Sequence, residues 1–171
     1  TRGMSSAASD VYKRQGVDPK RIVAGGGSAG GHIALLATTN PGLNDPNDSK
    51  EYDTSVVAYL LFNPALKPKK DMEVTFENHI KAAMPPMIAF WGTKDKWLTG
   101  WKSACEKMQS LENESIEWWT AQGQSHAFFN KQPWKDLTII AADQFLKKHR
   151  LIEGIVTLPA PENGLKLIKT L

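Results

Sequence analysis

The sequence predicts an α/β fold: a mostly parallel sheet with helices on both faces. Three observations carry this prediction. Short apolar runs recur along the chain as RIVAG, VVAYLLF, PMIAFWG and SIEWWTA. Between most of them lie longer segments with apolar residues at helical spacing, so strand and helix patterns alternate as in βα units. Two of the runs, VVAYLLF and PMIAFWG, are apolar throughout, as strands covered on both faces must be.

Taken in order, Arg21 to Gly25 is a β-branched run, and Ala29 to Thr39 follows with small and aliphatic residues at helical spacing. Asn40 to Thr54, rich in Pro, Asn and Asp, has no apolar period and reads as a surface loop. Val56 to Phe62 is the second strand. Phe76 to Met84 predicts a short helix ended by Pro85 and Pro86, ahead of a third strand over Pro86 to Gly92. Leu98 to Leu111 sets Leu98, Trp101, Cys105, Met108 and Leu111 on one face, and Ser115 to Ala121 is the fourth strand. After the loop Gln122 to Asn130, Pro133 suits the first turn of a helix to His149, striped by Trp134, Leu137, Ala141 and Phe145. Beyond Arg150 no regular pattern appears. The Trp and Leu stripes are read as core, with no cofactor assigned to them.

The bulk composition fits one globular domain: 171 residues, 41% hydrophobic and 23% charged. No apolar stretch is long enough to span a bilayer. Cys105 is the single cysteine, without a disulfide or metal partner, and reads as a half-buried helix thiol. Residues 5–15, SSAASDVYKRQ, resemble the translation of a transposase-type sequencing adapter, so residues 1–15 are set apart from 16–150, the domain proper, and from the tail 151–171. Removing Arg2, Lys13, Arg14 and Asp10 takes Lys+Arg from 21 to 18 and Asp+Glu from 18 to 17, leaving a charge of +1. No basic cluster with interleaved aromatics remains to bind nucleic acid. Localisation and oligomeric state stay open.

The stretch GGGSAGGH, Gly25 to His32, satisfies both GxGxxG and GxSxG. A dinucleotide site requires an acidic residue about 20 positions on, at the end of the next strand. Asp45, Asp48 and Glu51 fall in the loop before that strand, and the turn has no lysine for a Walker-type phosphate loop. The alternative is a nucleophile elbow, in which small neighbours Gly26, Ala29 and Gly30 let a sharp strand-to-helix turn present Ser28. In that reading Gly26 and Gly30 occupy positions where a side chain collides with strand or helix, and the Ala29 backbone N–H is an oxyanion donor at the helix N-terminus.

A serine nucleophile needs an imidazole to take its proton and a carboxylate to hold that imidazole. Asp95, in FWGTKDKW, follows the third strand, and His126, in GQSHAFFN, follows the fourth. Nucleophile, acid and base thus all follow carboxyl ends of strands, where open α/β sheets gather catalytic groups. Ser28 as an N-cap and Asp95 as a turn aspartate are the competing structural readings. His32, His79 and His149 lie in or beside helices and are read as structural. Asp136 and Asp143 are read as solvated helix positions, and Asp71 as part of a polar connection.

At GVDPKRIVAGGGSAGGH, PPMIAFWGTKD and GQSHAFFN the chain resembles the α/β-hydrolase superfamily of esterases and lipases, close to carbohydrate-esterase-like members. The resemblance runs from about Gly16 to Leu151. It implies ester hydrolysis through Ser28, Asp95 and His126 with no metal or organic cofactor, acting on small acyl esters such as acetyl or feruloyl esters of carbohydrates. A serine peptidase of the same fold and a non-catalytic binding module are the alternatives. The family's upstream HGG-type oxyanion segment has no counterpart here, so the chain is expected to be the C-terminal part of the fold, with early strands missing, and to turn over poorly as it stands, since a missing oxyanion donor costs about a hundredfold or more. Trp97 replaces the small residue or proline usual near the acid and is expected to narrow the pocket.

Overall fold

The computed structural model describes residues 15–40, 45–47, 55–66, 75–162 and 164–171. Among them five strands form one sheet in chain order: β1 Val23–Gly27, β2 Ala58–Phe62, β3 Met87–Gly92, β4 Ile116–Ala121 and β5 Ile168–Lys169. The first four pair in parallel, and β5 returns antiparallel along β4. Three α-helices accompany the sheet: α1 Ala29–Thr39, α2 Leu98–Ser110 and α3 Trp134–Lys148. The α/β prediction is therefore met. The adapter-like segment lies outside the described residues except for Gln15, as does most of the loop after Asn40.

Alternation along the strands sorts the core into two layers. Tyr59, Leu61, Met87, Ala89, Trp91 and Ile116 face one side, where Leu35 of α1 and Trp101, Ala104, Cys105 and Met108 of α2 pack on them. Ala58, Ile88, Phe90 and Ala121 face the other, covered by Ala141, Ala142 and Phe145 of α3 with Trp134 and Phe128. Every residue of β3 is buried, which explains its unbroken apolar run. Gly100 lets α2 approach the connection that follows β2, since a Cβ there would lie 2.0 Å from the Leu66 carbonyl oxygen.

Several elements differ from expectation. Strand β1 starts two residues late and runs through the glycines to Gly27, because these pair with β2 in register Gly25↔Leu60, Gly26↔Leu61 and Gly27↔Phe62. Over Phe76 to Met84 only a 3-10 turn forms, at Glu77–His79. The tail is largely irregular but ends in β5, tied to β4 by the Trp118 N–H to Leu171 and the Thr170 N–H to Trp118. Cys105 is buried rather than half-buried, at 3% exposure. Burial, and then the charge of Glu106, push its thiol up to about 12. Among the described residues no helix is long and apolar enough to cross a membrane.

Candidate active site

The register brings the carboxyl ends of β1 to β4 to one edge, and four loops converge there. Ser28 occupies the single residue between β1 and α1, at φ 51° and ψ −118°, a conformation that L-residues rarely adopt. Three backbone bonds hold it: its N–H donates to the Phe62 carbonyl at 2.9 Å, and its carbonyl accepts from Ala65 at 2.9 Å and His32 at 3.2 Å. Its side chain makes no capping bond to α1, against the N-cap reading. Ala29 begins α1, where a backbone N–H has no intrahelical acceptor and faces outward from the helix end.

Asp95 lies in a turn after β3, closed by its N–H to the Gly92 carbonyl at 3.0 Å. One carboxylate oxygen, Oδ1, accepts the Trp97 backbone N–H at 2.9 Å. The other, Oδ2, is 2.8 Å from His126 Nδ1, with the carboxylate side chain wholly buried and the imidazole 28% exposed. His126 Nε2 is 2.7 Å from Ser28 Oγ. Because a carboxylate only accepts, Nδ1 carries the proton and donates to Asp95; Nε2 then accepts from the Ser28 hydroxyl. The structure thus brings Ser28, His126 and Asp95 into one hydrogen-bonded row. That arrangement suits removal of the serine proton as the oxygen attacks an electrophile.

The loops bearing Asp95 and His126 are joined to each other. Thr93 N–H donates to Ala121, Lys94 N–H to Gln124 at 2.9 Å, and Gly123 N–H to Thr93 Oγ1 at 2.8 Å. Gly92 permits this contact, as a Cβ there would lie 2.2 Å from the Gln124 carbonyl oxygen. Trp97 is half-buried against the α2-side core, with Lys96 Nζ 5.3 Å from its ring centroid.

The steric demand on the elbow glycines is partly redistributed. A Cβ at Gly26 would sit 2.8 Å from the Gly30 carbonyl carbon, as expected. At Gly30, however, a Cβ would meet nothing within 4 Å among the described residues. The tight position is Gly31, where it would lie 2.7 Å from Gly26 O and 3.1 Å from Pro64 Cβ. Gly30→Ala is therefore expected to leave the thermal midpoint unchanged or raise it slightly, since alanine favours the helix by about 0.5–1 kcal/mol. Gly31→Ala is expected to cost about 1–3 kcal/mol through overpacking. Thermal unfolding of the two variants side by side checks the assignment.

Asn63 escaped the sequence reading. It directly follows β2, is fully buried, and sits at φ 40°. Its Oδ1 accepts the Ala127 N–H at 3.1 Å, and its Nδ2 is 3.0 Å from Nδ1 and 3.2 Å from Nε2 of His126. The available signal was an asparagine directly after an apolar strand, at the same sheet edge as the elbow. Of the other histidines, His32 and His149 are helix-associated with pKa lowered by burial, and the His149 ring packs at a tilt against Phe145, centroids 4.6 Å apart. Asp136 accepts from Gln132, while Asp143 is half-buried with Oδ2 lacking a partner among the described residues, rather than solvated.

The mostly parallel α/β sheet is an architecture shared with solved esterases. Esterase 2 of Thermogutta terrifontis, phosphoramylated by tabun, superposes with a TM-score of 0.78 at 30% identity, covering 88% of this chain and 65% of that one. The propionate-bound form, described as a thermophilic esterase from a Planctomycetes species, gives 0.77 at 28% identity, covering 89% and 66%. The apo form gives 0.76 at 30%, covering 88% and 65%. This chain thus spans about two thirds of the length of those esterases. No protein-family model matches it. No curated protein sequence matches it either.

Proposed function

We propose that this chain carries the catalytic residues of a serine carboxylic-ester hydrolase acting on small acyl esters. The observation that carries the reading is the row Ser28 Oγ to His126 Nε2 at 2.7 Å and His126 Nδ1 to Asp95 Oδ2 at 2.8 Å. Ser28 Oγ attacks the ester carbonyl carbon as its proton passes to Nε2, and Asp95 stabilises the resulting imidazolium. The Ala29 N–H donates to the developing oxyanion. Collapse of the tetrahedral intermediate releases the alcohol, protonated from Nε2, and leaves the acyl group on Ser28. Water, deprotonated by His126, then hydrolyses that acyl ester and restores the serine.

The similar esterase is recorded with propionate, with butyrate and phosphorylated by paraoxon, which supports a short acyl group and an organophosphate-reactive serine. A carbohydrate as the alcohol rests on the sequence resemblance alone. The test is intact mass after exposure to a fluorophosphonate, with Ser28→Ala beside the parent. One adduct on the parent and none on the variant is expected. A folded parent that takes no adduct overturns the proposal. Ester and peptide substrates, assayed together, then separate an esterase from a peptidase.

A further inference from the structure

We infer that Asn63 is a positioning residue that clamps the His126 imidazole between Asp95 and Ser28. The inference rests on the proposed role of Ser28 and His126, and adds a fourth side chain to it. In the ring plane, Nδ1 is taken by Asp95 and Nε2 by Ser28, so neither nitrogen has an in-plane position left for a third partner. Yet Asn63 Nδ2 is 3.0 and 3.2 Å from the two nitrogens. Nearly equal distances place the amide over the ring face, because an in-plane approach at those lengths would drive it into Cε1. The other end of the same amide accepts the N–H of Ala127, the residue after His126, which is itself held at φ 61°. Asn63 therefore grips both the ring and the backbone that carries it.

The grip is itself anchored. The Asn63 N–H donates to the Phe90 carbonyl at 2.9 Å, so the clamp is fixed to the centre of the sheet rather than to a loop. The acceptor bond to Ala127 also fixes which end of the amide is oxygen. Without the clamp the imidazole keeps its two partners but gains freedom to tilt about Cβ–Cγ. A misplacement on the ångström scale costs up to about a hundredfold in rate.

The test uses fluorophosphonate labelling kinetics on the full chain. Asn63→Ala is expected to lower the inactivation rate constant at saturating reagent about 10- to 100-fold while leaving the reagent's half-saturation concentration unchanged. Asn63→Asp keeps the volume and the acceptor for Ala127 but sets a carboxylate against the ring. The side chains at hydrogen-bond distance from the ring nitrogens among the described residues are Asp95 from the β3 turn, Ser28 from the elbow and Asn63 from the turn after β2, and of these Asp95 alone is charged. A second carboxylate favours the imidazolium, so the acid limb of the labelling rate is expected to move to higher pH. An unchanged rate in Asn63→Ala, or an unshifted limb in Asn63→Asp, overturns the inference. If Asn63→Ala does not fold, the Asn63→Asp limb decides alone. A parent that takes no label overturns the serine-hydrolase reading itself and this inference with it, whereas a labelled parent with unaltered Asn63 variants overturns only the inference.

Discussion

His126→Ala is expected to lower the turnover of a chromogenic acetate or butyrate ester on the order of 10⁶-fold, with the fold retained. The size follows from what the imidazole does: without Nε2, the Ser28 hydroxyl has no acceptor at 2.7 Å and must attack as a neutral alcohol. The side chain is 28% exposed, so its removal opens no sealed cavity and the loss is chemical rather than structural. Asp95→Asn is the graded companion. An amide in place of the carboxylate presents a donor or a weaker acceptor to Nδ1 and favours the tautomer with the proton on Nε2, facing Ser28. A loss on the order of 10⁴-fold is expected at neutral pH. Initial rates, read beside circular dichroism of each variant, check both. Activity within tenfold of the parent in His126→Ala would remove it as the base.

The largest expected effect on stability is Trp101→Ala. Trp101 is wholly buried on α2, with its ring centroid 6.2 Å from that of Trp91 on β3. A loss of about 3–5 kcal/mol is expected, a large share of the 5–15 typical of a folded domain. Trp101→Phe separates packing from polarity. The Trp101 Nε1 has no hydrogen-bond partner among the described residues, so phenylalanine gives up volume but also removes an unpaired buried donor. Its loss is expected to be well under half that of alanine. Urea unfolding midpoints at constant slope measure both.

Legibility in the sequence followed the physics of each element. Helix α1 has the bounds its spacing predicts, and β3 and β4 differ from theirs by one residue; β3, buried along its whole length, writes its limits directly in composition. The shift of β1 onto Gly25 to Gly27 was hidden: pairing to β2 overrides the poor strand propensity of glycine. Strand β5 is exposed and held through backbone groups, so its side chains carry no period. Ser28, Asp95 and His126 were legible as residue types, a serine in a glycine-rich turn with an acid and a histidine after later apolar runs. Asn63, Gly31 and Gly92 were not, since their roles arise from close approach between segments far apart in the chain.

Five non-glycine residues among those described have positive φ, and three of them, Ser28, Asn63 and Ala127, surround the imidazole. Such conformations each cost on the order of 1–3 kcal/mol, and glycine relieves most of that cost. A population of variants sorted only for cellular abundance would thus drift toward glycine at positions 28 and 127, while one sorted for ester turnover would hold serine at 28. Two such mutational maps, subtracted from one another, would test the candidate active site residue by residue. The backbone gives up part of its own durability at these few positions, and glycine at 28 would recover some of it while removing the hydroxyl on which the proposed reaction depends.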